Sequence, residues 1–269
     1  MPIAGQDVTS SVRTPEESVA RCRRILRPTS IAVVGASPRE TTLHGRVVRN
    51  LLNGGFEGPV YPVNPRYDKV CGLPCRPSVE AIGQPVDLAL VLVSADRVTA
   101  AVDDCITGGV GAALIFSSGF AEAGPDGVAR QAELDARRDD IAIGGPNVNA
   151  VLSRPAHACM GFGPTLEFKV ADAPRALISQ SGAVGTSIVT RAAAKGIGFR
   201  YVVATGNEVD LGVEDYLFAL AAEAEPVPWP VPEDAAGKPD RQRAGEAGPA
   251  APAGEAAVPG GAAGGKHHW

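Results

Sequence analysis

The sequence predicts an α/β protein: a doubly wound parallel sheet, then a second, incomplete α/β unit, then a disordered tail. Three observations carry that expectation. Short apolar runs of strand length alternate with helical patterns from Ile31 to Ile143. The run Val86–Ser94 is almost continuously apolar, as a central parallel strand covered on both faces must be. After Ala222 the composition breaks abruptly, and Pro, Ala and Gly dominate from Pro226 to Trp269.

The elements follow in order. Glu16–Leu26 reads as a helix, with Thr14 placed to cap it, Pro15 at its first position and Glu17 three residues after the cap. Arg27-Pro28 ends it. Ile31–Val34 is the first strand, and Gly35 closes it. Leu43, Val47, Val48, Leu51 and Leu52 share one face of a helix that Gly54 and Gly55 terminate. Val60–Val63 is a second strand ending at Asn64-Pro65-Arg66, and Ser78–Ile82 is a helical turn at most. Val86–Ser94 is the third strand. Ala95–Thr107 follows as helix, with Val98, Val102, Cys105 and Ile106 inward. Ala112–Phe116 is the fourth strand, Pro125–Arg138 a helix and Ile141–Ile143 a fifth, short strand.

With right-handed crossovers these form one sheet over roughly residues 28–150, preceded by an arm and helix at 1–27. A ligand crevice is expected at the carboxyl ends of the strands. Those ends carry Gly35–Arg39, Asn64–Arg66, Ser94, Ser117–Phe120 and Gly145–Asn147. Residues 151–174 show no period and read as a connector. A second unit at 175–225 starts with Arg175–Ser179 as strand, Ser181-Gly182 as turn and Ala183–Lys195 as helix. Phe199–Ala204 is its next strand and Val213–Ala222 its last helix. Two parallel strands, with Val202 and Val203 on an unpaired edge, are too few to stand alone. The tail, 226–269, has too little branched apolar surface to offset its chain entropy.

Bulk properties narrow the function. A net charge of −5 and the lack of a basic stripe argue against a nucleic-acid surface. No run approaches the length of a membrane span, and Met1–Thr14 does not resemble a secretion signal. The five cysteines, Cys22, Cys71, Cys75, Cys105 and Cys159, are scattered and lack histidine neighbours, so a reduced cytoplasm and no metal are expected. His267-His268 belongs to the tail and has no companion ligands.

The turn after the first strand has the chemistry of an anion site. Backbone N–H groups of Gly35, Ala36 and Ser37 and the N-terminus of the next helix would face a pyrophosphate. This is not the dinucleotide fingerprint G-x-G-x-x-G, which needs glycine where Ser37 and Glu40 stand. In a Rossmann enzyme that uses NAD, an acidic residue ends the second strand. Here Asn64-Pro65-Arg66 offers a cation instead, which suits a phosphorylated ribose, either NADP or coenzyme A. At the start of the second unit, Ser179, Ser181, Gly182 and Ala183 make a second candidate anion site. It is not a G-x-S-x-G nucleophile elbow, and His44 and His157 read as loop residues rather than as its base.

Seven motifs stand in one order: Gly35-Ala-Ser-Pro38, Tyr61-Pro-Val-Asn-Pro-Arg66, Val86-Asp-Leu-Ala89, Ser118-Gly-Phe120, Gly145-Pro-Asn147, Ser179-Gln-Ser-Gly182 and Thr205-Gly-Asn-Glu208. Over roughly residues 24–225 the chain resembles the CoA-binding part of NDP-forming acyl-CoA synthetases. These include the ADP-forming acetate–CoA ligases and are similar to the alpha subunit of succinyl-CoA synthetase. The resemblance implies a Rossmann-like CoA-binding domain joined to a flavodoxin-like domain. It implies CoA held by Gly35, Ser37, Arg39, Asn64, Pro65, Arg66, Ser94, Ser117, Ser118 and Gly119. Ser37 and Arg39 would lie near the nucleotide, Asn64–Arg66 about the adenosine end, and Ser117–Gly119 along the pantetheine. It further implies phosphate held by Asn147, Ser179, Ser181, Gly182 and Ala183.

The family reaction is acid + CoA + ATP ⇌ acyl-CoA + ADP + phosphate, through an acyl phosphate and a phosphohistidine. The phosphohistidine loop, its activating carboxylate and the ATP-grasp module have no counterpart in this pattern. No catalytic residue is therefore assigned, and the chain reads as a truncated fragment or subunit, inactive alone. An ATP-grasp subunit or a second copy of the chain is the expected partner. The alternatives are a non-catalytic module that binds CoA or acyl-CoA for regulation, and an NADP-binding Rossmann protein.

Overall fold

The computed structural model describes residues 13–39, 42–162 and 170–223; the tail read at 226–269 lies outside them. The first helix, α1 (Pro15–Leu26), carries the expected capping box. The Glu17 N–H donates to Thr14 Oγ1 at 3.2 Å, and Glu17 Oε2 accepts from the Thr14 N–H at 2.9 Å. Ser18, Cys22, Ile25 and Leu26 repeat at helical spacing and form its buried face.

Five strands build the main sheet: β1 (Ile31–Val34), β2 (Val60–Val63), β5 (Val86–Val91), β6 (Val110–Ile115) and β7 (Ala142–Gly144). The hairpin of β3 (Lys69–Val70) and β4 (Leu73–Pro74) lies between β2 and β5 in sequence. The sheet order is β2-β1-β5-β6-β7 and every pairing in it is parallel. Crossing helices are α2 (Leu43–Asn53), α3 (Ala95–Thr107) and α4 (Pro125–Asp135). The order reverses between β1 and β5, so the crevice of a doubly wound sheet opens there.

Side chains of alternate residues enter two separate cores. Ile31, Val33, Leu88, Leu90 and Leu114 pack beneath α1 and α2, with Ile25, Val48 and Leu51. Ala32, Val34, Ala89, Val91 and Ile115 pack on the other face with Val98, Val102, Cys105 and Leu134. Burial on both faces is why these strands read as unbroken apolar runs. Helix α4 stops at Asp135, short of the expected Arg138. Arg137 instead turns outward, its guanidinium donating to the Asp103 carboxylate on α3.

Among the described residues the second sheet has four strands, in the order β10-β11-β8-β9. Strands β8 (Ala150–Ser153) and β9 (Ala158–Gly161) form an antiparallel hairpin that falls, from residue 151 on, in the stretch read as connector without a period. β10 (Ala176–Ser179) and β11 (Tyr201–Ala204) are parallel, and α5 (Gly182–Ala193) crosses between them. Val203 pairs with Val151 and Val202 with Leu152, so β11 is interior and the reading of an unpaired edge at Val202 and Val203 is corrected. Four-residue strands are too short to show a period, and Ala-Cys-Met-Gly in β9 lacks the branched and aromatic residues that mark strands.

The two sheets share a core. Helix α2 packs on β9, and Val151, Ala158, Met160, Tyr201 and Val203 join the cluster under β1 and β5. Residues 207–211 then run along the outer edge of β7. Their N–H groups donate from Asn207 to Pro146 O (2.8 Å), Val209 to Gly145 O (2.9 Å) and Leu211 to Ile143 O (3.1 Å). The edge strand is thereby covered.

The last helix, α6 (Val213–Glu223), lies on α1. Asp210, whose side chain is wholly buried, takes charge-assisted bonds from Arg13 and from Arg21 (2.6 Å) and also accepts the Ile143 N–H (2.8 Å). Asp215 accepts from Arg13, Ser18 and the Gly212 N–H. Arg27 donates to both Tyr201 Oη and Glu223, and Tyr201 donates to Glu223 as well. Among the described residues no helix is long and apolar enough to cross a membrane.

Candidate functional site

Five loops meet at the carboxyl ends of the main sheet. The first begins at Gly35, whose φ of +87° is left-handed. A Cβ there would stand 3.2 Å from the carbonyl carbon and oxygen of Leu92 and from Val93 Cγ1. The turn therefore lies directly against the end of β5, at the switch point. The Gly35 N–H still donates to Val63 O (2.9 Å), and the Gly35 carbonyl lies 3.1 Å from His44 Nδ1. Ser37 is buried, and its Oγ accepts the Arg39 N–H at 3.2 Å. The Arg39 carbonyl accepts from the N–H (3.0 Å) and the hydroxyl (2.7 Å) of Thr42, the N-cap of α2. The Arg39 side chain is exposed. Thr42 Oγ1 also caps the Gly45 N–H at 3.4 Å, so the positive dipole end of α2 begins beside this turn.

The second loop is fastened to the first. Asn64 Nδ2 donates to Ala36 O at 2.8 Å, and Asn64 Oδ1 accepts the Arg66 N–H at 3.1 Å. The Asn64 amide is thus committed to holding the loop. Pro65 and Arg66 beside it are exposed, and the Arg66 guanidinium has no hydrogen-bond or ion-pair partner among the described residues.

The third and fourth loops are joined in the same way. Ser117 Oγ donates to Val93 O. Ser94, exposed at the N-terminus of α3, accepts from Arg97 Nε at 3.2 Å. Ser118 is exposed, Gly119 has φ +102°, and Phe120 is fully buried and anchors the loop. Glu122 Oε1 accepts both the Gly119 N–H (2.6 Å) and the Phe120 N–H (3.2 Å). Burial pushes the Glu122 carboxyl up, but hydrogen bonds from Asn207, Gly119 and Phe120 outweigh it and hold it below the usual range.

In the fifth loop Gly145-Pro146 is cis and Asn147 has φ +63°, with its N–H donating to Ser117 O at 3.0 Å.

The second candidate group sits where β10 meets α5. Ser181 is the N-cap of α5, its Oγ accepting the Val184 N–H at 3.4 Å, while Ser179 Oγ donates to Ser181 O at 2.8 Å. A Cβ on Gly182 would come within 2.3 Å of the Asn149 amide, so that amide rests on the first turn of α5. Ala183 is exposed beside it. This turn is tied to the Thr205–Glu208 loop by Thr205 N–H to Ser179 O (3.0 Å), Gly206 N–H to Gln180 O (3.2 Å) and Gln180 Nε2 to Gly206 O (2.8 Å).

The structure brings the sequence-derived residues together as two adjacent groups. Asn64 Nδ2 and Ser117 Oγ each bond a neighbouring loop, and Asn64 Oδ1 bonds its own. Ser37, Arg39, Ser94, Arg66 and Ser118 lie on the loops at the carboxyl ends of the main-sheet strands. His44 is the second residue of α2, not a loop residue as expected. Thr42, His44, Asn149, Glu122 and Asn207 went unassigned. Thr42 had a local signal, a threonine just ahead of an apolar helical repeat. The rest act through contacts distant in sequence.

Two buried thiols, Cys105 and Cys159, lie away from these loops, while Cys75 Sγ donates to Asn64 O at 3.5 Å. Burial pushes Cys105 up to about 12 and Cys159 up to about 11, so neither is a nucleophile near neutral pH.

Comparison with known proteins places two domain types on the chain. Residues 29–154 match a CoA binding domain, and residues 173–226 match a succinyl-CoA ligase like flavodoxin domain. An ADP-forming acetate–CoA ligase I of Archaeoglobus fulgidus is 36% identical over 203 residues, which is 74% of this chain and 29% of that protein. The alpha subunit of the ADP-forming acetate–CoA ligase I of Pyrococcus furiosus is 36% identical over 199 residues, 72% of this chain and 42% of the subunit. Among solved structures, the dinucleotide-forming acetyl-coenzyme A synthetase 1 of Ca. Korarchaeum cryptofilum, in complex with phosphate and ADP, superposes with a TM-score of 0.69 at 36% identity. That match covers 76% of this chain and 43% of the other. The chain spans less than half the length of these relatives.

Proposed function

Because this chain carries a CoA-binding domain joined to a succinyl-CoA-ligase-like flavodoxin domain, homologous to ADP-forming acetate–CoA ligases, we propose that it is the CoA-binding component of an NDP-forming acyl-CoA synthetase. The reaction served is acid + CoA + ATP ⇌ acyl-CoA + ADP + phosphate, through acyl phosphate and phosphohistidine. The observation that carries the reading is the Gly35 turn. At φ +87° a Cβ would be strained and would press on the Leu92 carbonyl at 3.2 Å, so glycine suits this close turn, and α2 begins just beyond it, near the switch point.

In this reading the α2 N-terminus and the Ser37–Arg39 turn receive the CoA diphosphate. The uncommitted guanidinium of Arg66 takes the ribose 3′-phosphate, a contact for which NAD has no group. The pantetheine runs past Ser94 toward Ser117–Gly119. The N-terminus of α5, with Ser179, Ser181, Gly182 and Ala183, holds the phosphate that leaves the acyl group, beside Asn147. Asn64 acts one step back, keeping the adenosine loop on the diphosphate loop. This chain's own share is to bind and aim the thiol and to receive an anion. Phosphoryl transfer through histidine is assigned to residues outside this pattern, on a partner or a longer polypeptide.

Calorimetric titration of the full chain with CoA, NADP and NAD tests the proposal. Saturable binding of CoA, with NADP and NAD weaker by tenfold or more, is the expected result. Preference for NADP, or no heat with CoA, rejects it.

A further inference from the structure

One polar cluster belongs to neither group of site residues and touches both. Asn207 Nδ2 donates to Glu122 Oε2 and to Gln131 Oε1 (3.0 Å), and Asn207 Oδ1 accepts from Asn147 Nδ2 at 3.4 Å. Its backbone N–H donates to Pro146 O at 2.8 Å. The preceding Gly206, at φ +68°, lets the chain come so near that a Cβ would stand 2.2 Å from Pro146 O. Gly206 is also the residue clasped by Gln180, next to the Ser179–Ala183 turn. On the far side, Glu122 holds the Gly119 and Phe120 N–H groups, Gln131 accepts the Ala121 N–H (3.2 Å) and Arg130 donates to Gly119 O (2.8 Å). The Gly119, Phe120 and Ala121 N–H groups are thus linked, through Glu122 or Gln131 and then Asn207, to the loop after β11, while Arg130 holds the Gly119 carbonyl independently.

We infer that Asn207 is a positioning residue, which fixes the Ser117–Phe120 loop at a set separation from the Ser179–Ala183 turn. The inference rests on the CoA reading above, in which the thiol-bearing arm lies on the first of these and the departing phosphate on the second. Thiol and acyl phosphate react only when held at near-contact distance, so the link between their two loops governs the encounter. Asn207 is half-buried and outside the apolar clusters, and its bonds span sequence separations of 60, 76 and 85 residues. Removing it cuts the tie between the Ser117–Phe120 loop and the loop after β11 without opening the core, while the bonds of Ser117, Arg130 and Glu122 keep the loop itself in place. The loop then has more freedom relative to the Ser179–Ala183 turn, and restricting that freedom when the arm binds weakens binding of the arm alone.

The test compares two ligands on the full chain, CoA and adenosine 3′,5′-bisphosphate, which keeps the nucleotide end and lacks the arm. Asn207→Ala is expected to weaken CoA about tenfold while leaving the bisphosphate within about twofold of the unaltered chain. Glu122→Gln keeps the shape and removes the charge, and is expected to show the same arm-selective loss; it serves if Asn207→Ala does not fold. Equal weakening of both ligands, or no weakening of CoA, overturns the inference while the CoA reading stands. Failure of the unaltered chain to bind CoA overturns both.

Discussion

Replacing Gly35 by alanine probes the turn on which the site depends. Two costs follow from its geometry. At φ +87° an L residue with a Cβ is strained by about 1–3 kcal/mol. The new Cβ would also press on the Leu92 carbonyl group and Val93 Cγ1 at 3.2 Å. The Leu92 backbone has little room to yield, because its N–H is bonded to Val34 O at 2.9 Å within the sheet. Together these give a destabilisation of about 2–4 kcal/mol, equivalent to a fall in Tm of roughly 5–12 °C for an ordered region of this size. Thermal unfolding followed by circular dichroism reads that fall directly. CoA affinity, measured below the new midpoint, is expected to drop at least tenfold, because the Gly35 carbonyl and its His44 contact shift with the turn. An alanine variant with unchanged Tm and unchanged CoA affinity would refute the reasoning at its root.

Three further outcomes are expected. Arg66→Ala weakens CoA by about 1.5–3 kcal/mol and leaves dephospho-CoA unchanged; equal loss for both ligands would remove the guanidinium from the 3′-phosphate. Asp210→Asn strips the wholly buried carboxylate shared by Arg13 and Arg21, themselves about one-fifth exposed, and costs about 2–4 kcal/mol in urea unfolding. A loss under about 0.5 kcal/mol would make this knot no more than a surface pair. Glu223 responds to acid. Burial pushes its carboxyl up, but bonds from Arg27 and Tyr201 prevail and hold it low. The folded state therefore binds its proton later than the unfolded chain, so the Glu223 contribution is fully present above the usual carboxylate value and is lost as pH falls from there through the lowered folded value. The urea midpoint of Glu223→Gln should fall less steeply with acidification than that of the parent; parallel curves would contradict the assignment.

Local chemistry made much of the fold readable. Thr14, Pro15 and Glu17 announce α1 by themselves, and the apolar run at Val86 announces a strand covered on both faces. The crevice followed from strand order, since its loops must fall where parallel strands end. What stayed hidden depends on distance along the chain. Ala150–Ser153 and Ala158–Gly161 become strands only because β11 and α2 receive them. Residues 207–211 look like a loop and act as an edge cover because β7 offers free carbonyls. In the site, Gly35 and Arg66 stood out by residue type. Asn64 and Ser117 were found by position, yet their polar atoms hold loops, which only coordinates reveal. Asn207 lay in a noted motif, but its partners Glu122 and Gln131 are 85 and 76 residues away.

The most direct test of the central claim is a crystal structure of the full chain grown with CoA. The account predicts the diphosphate at the N-terminus of α2, the 3′-phosphate within reach of Arg66 and the thiol end along Ser117–Gly119. Density for CoA elsewhere, or none at saturating ligand with the Gly35 turn and Arg66 closed over the crevice, would contradict it.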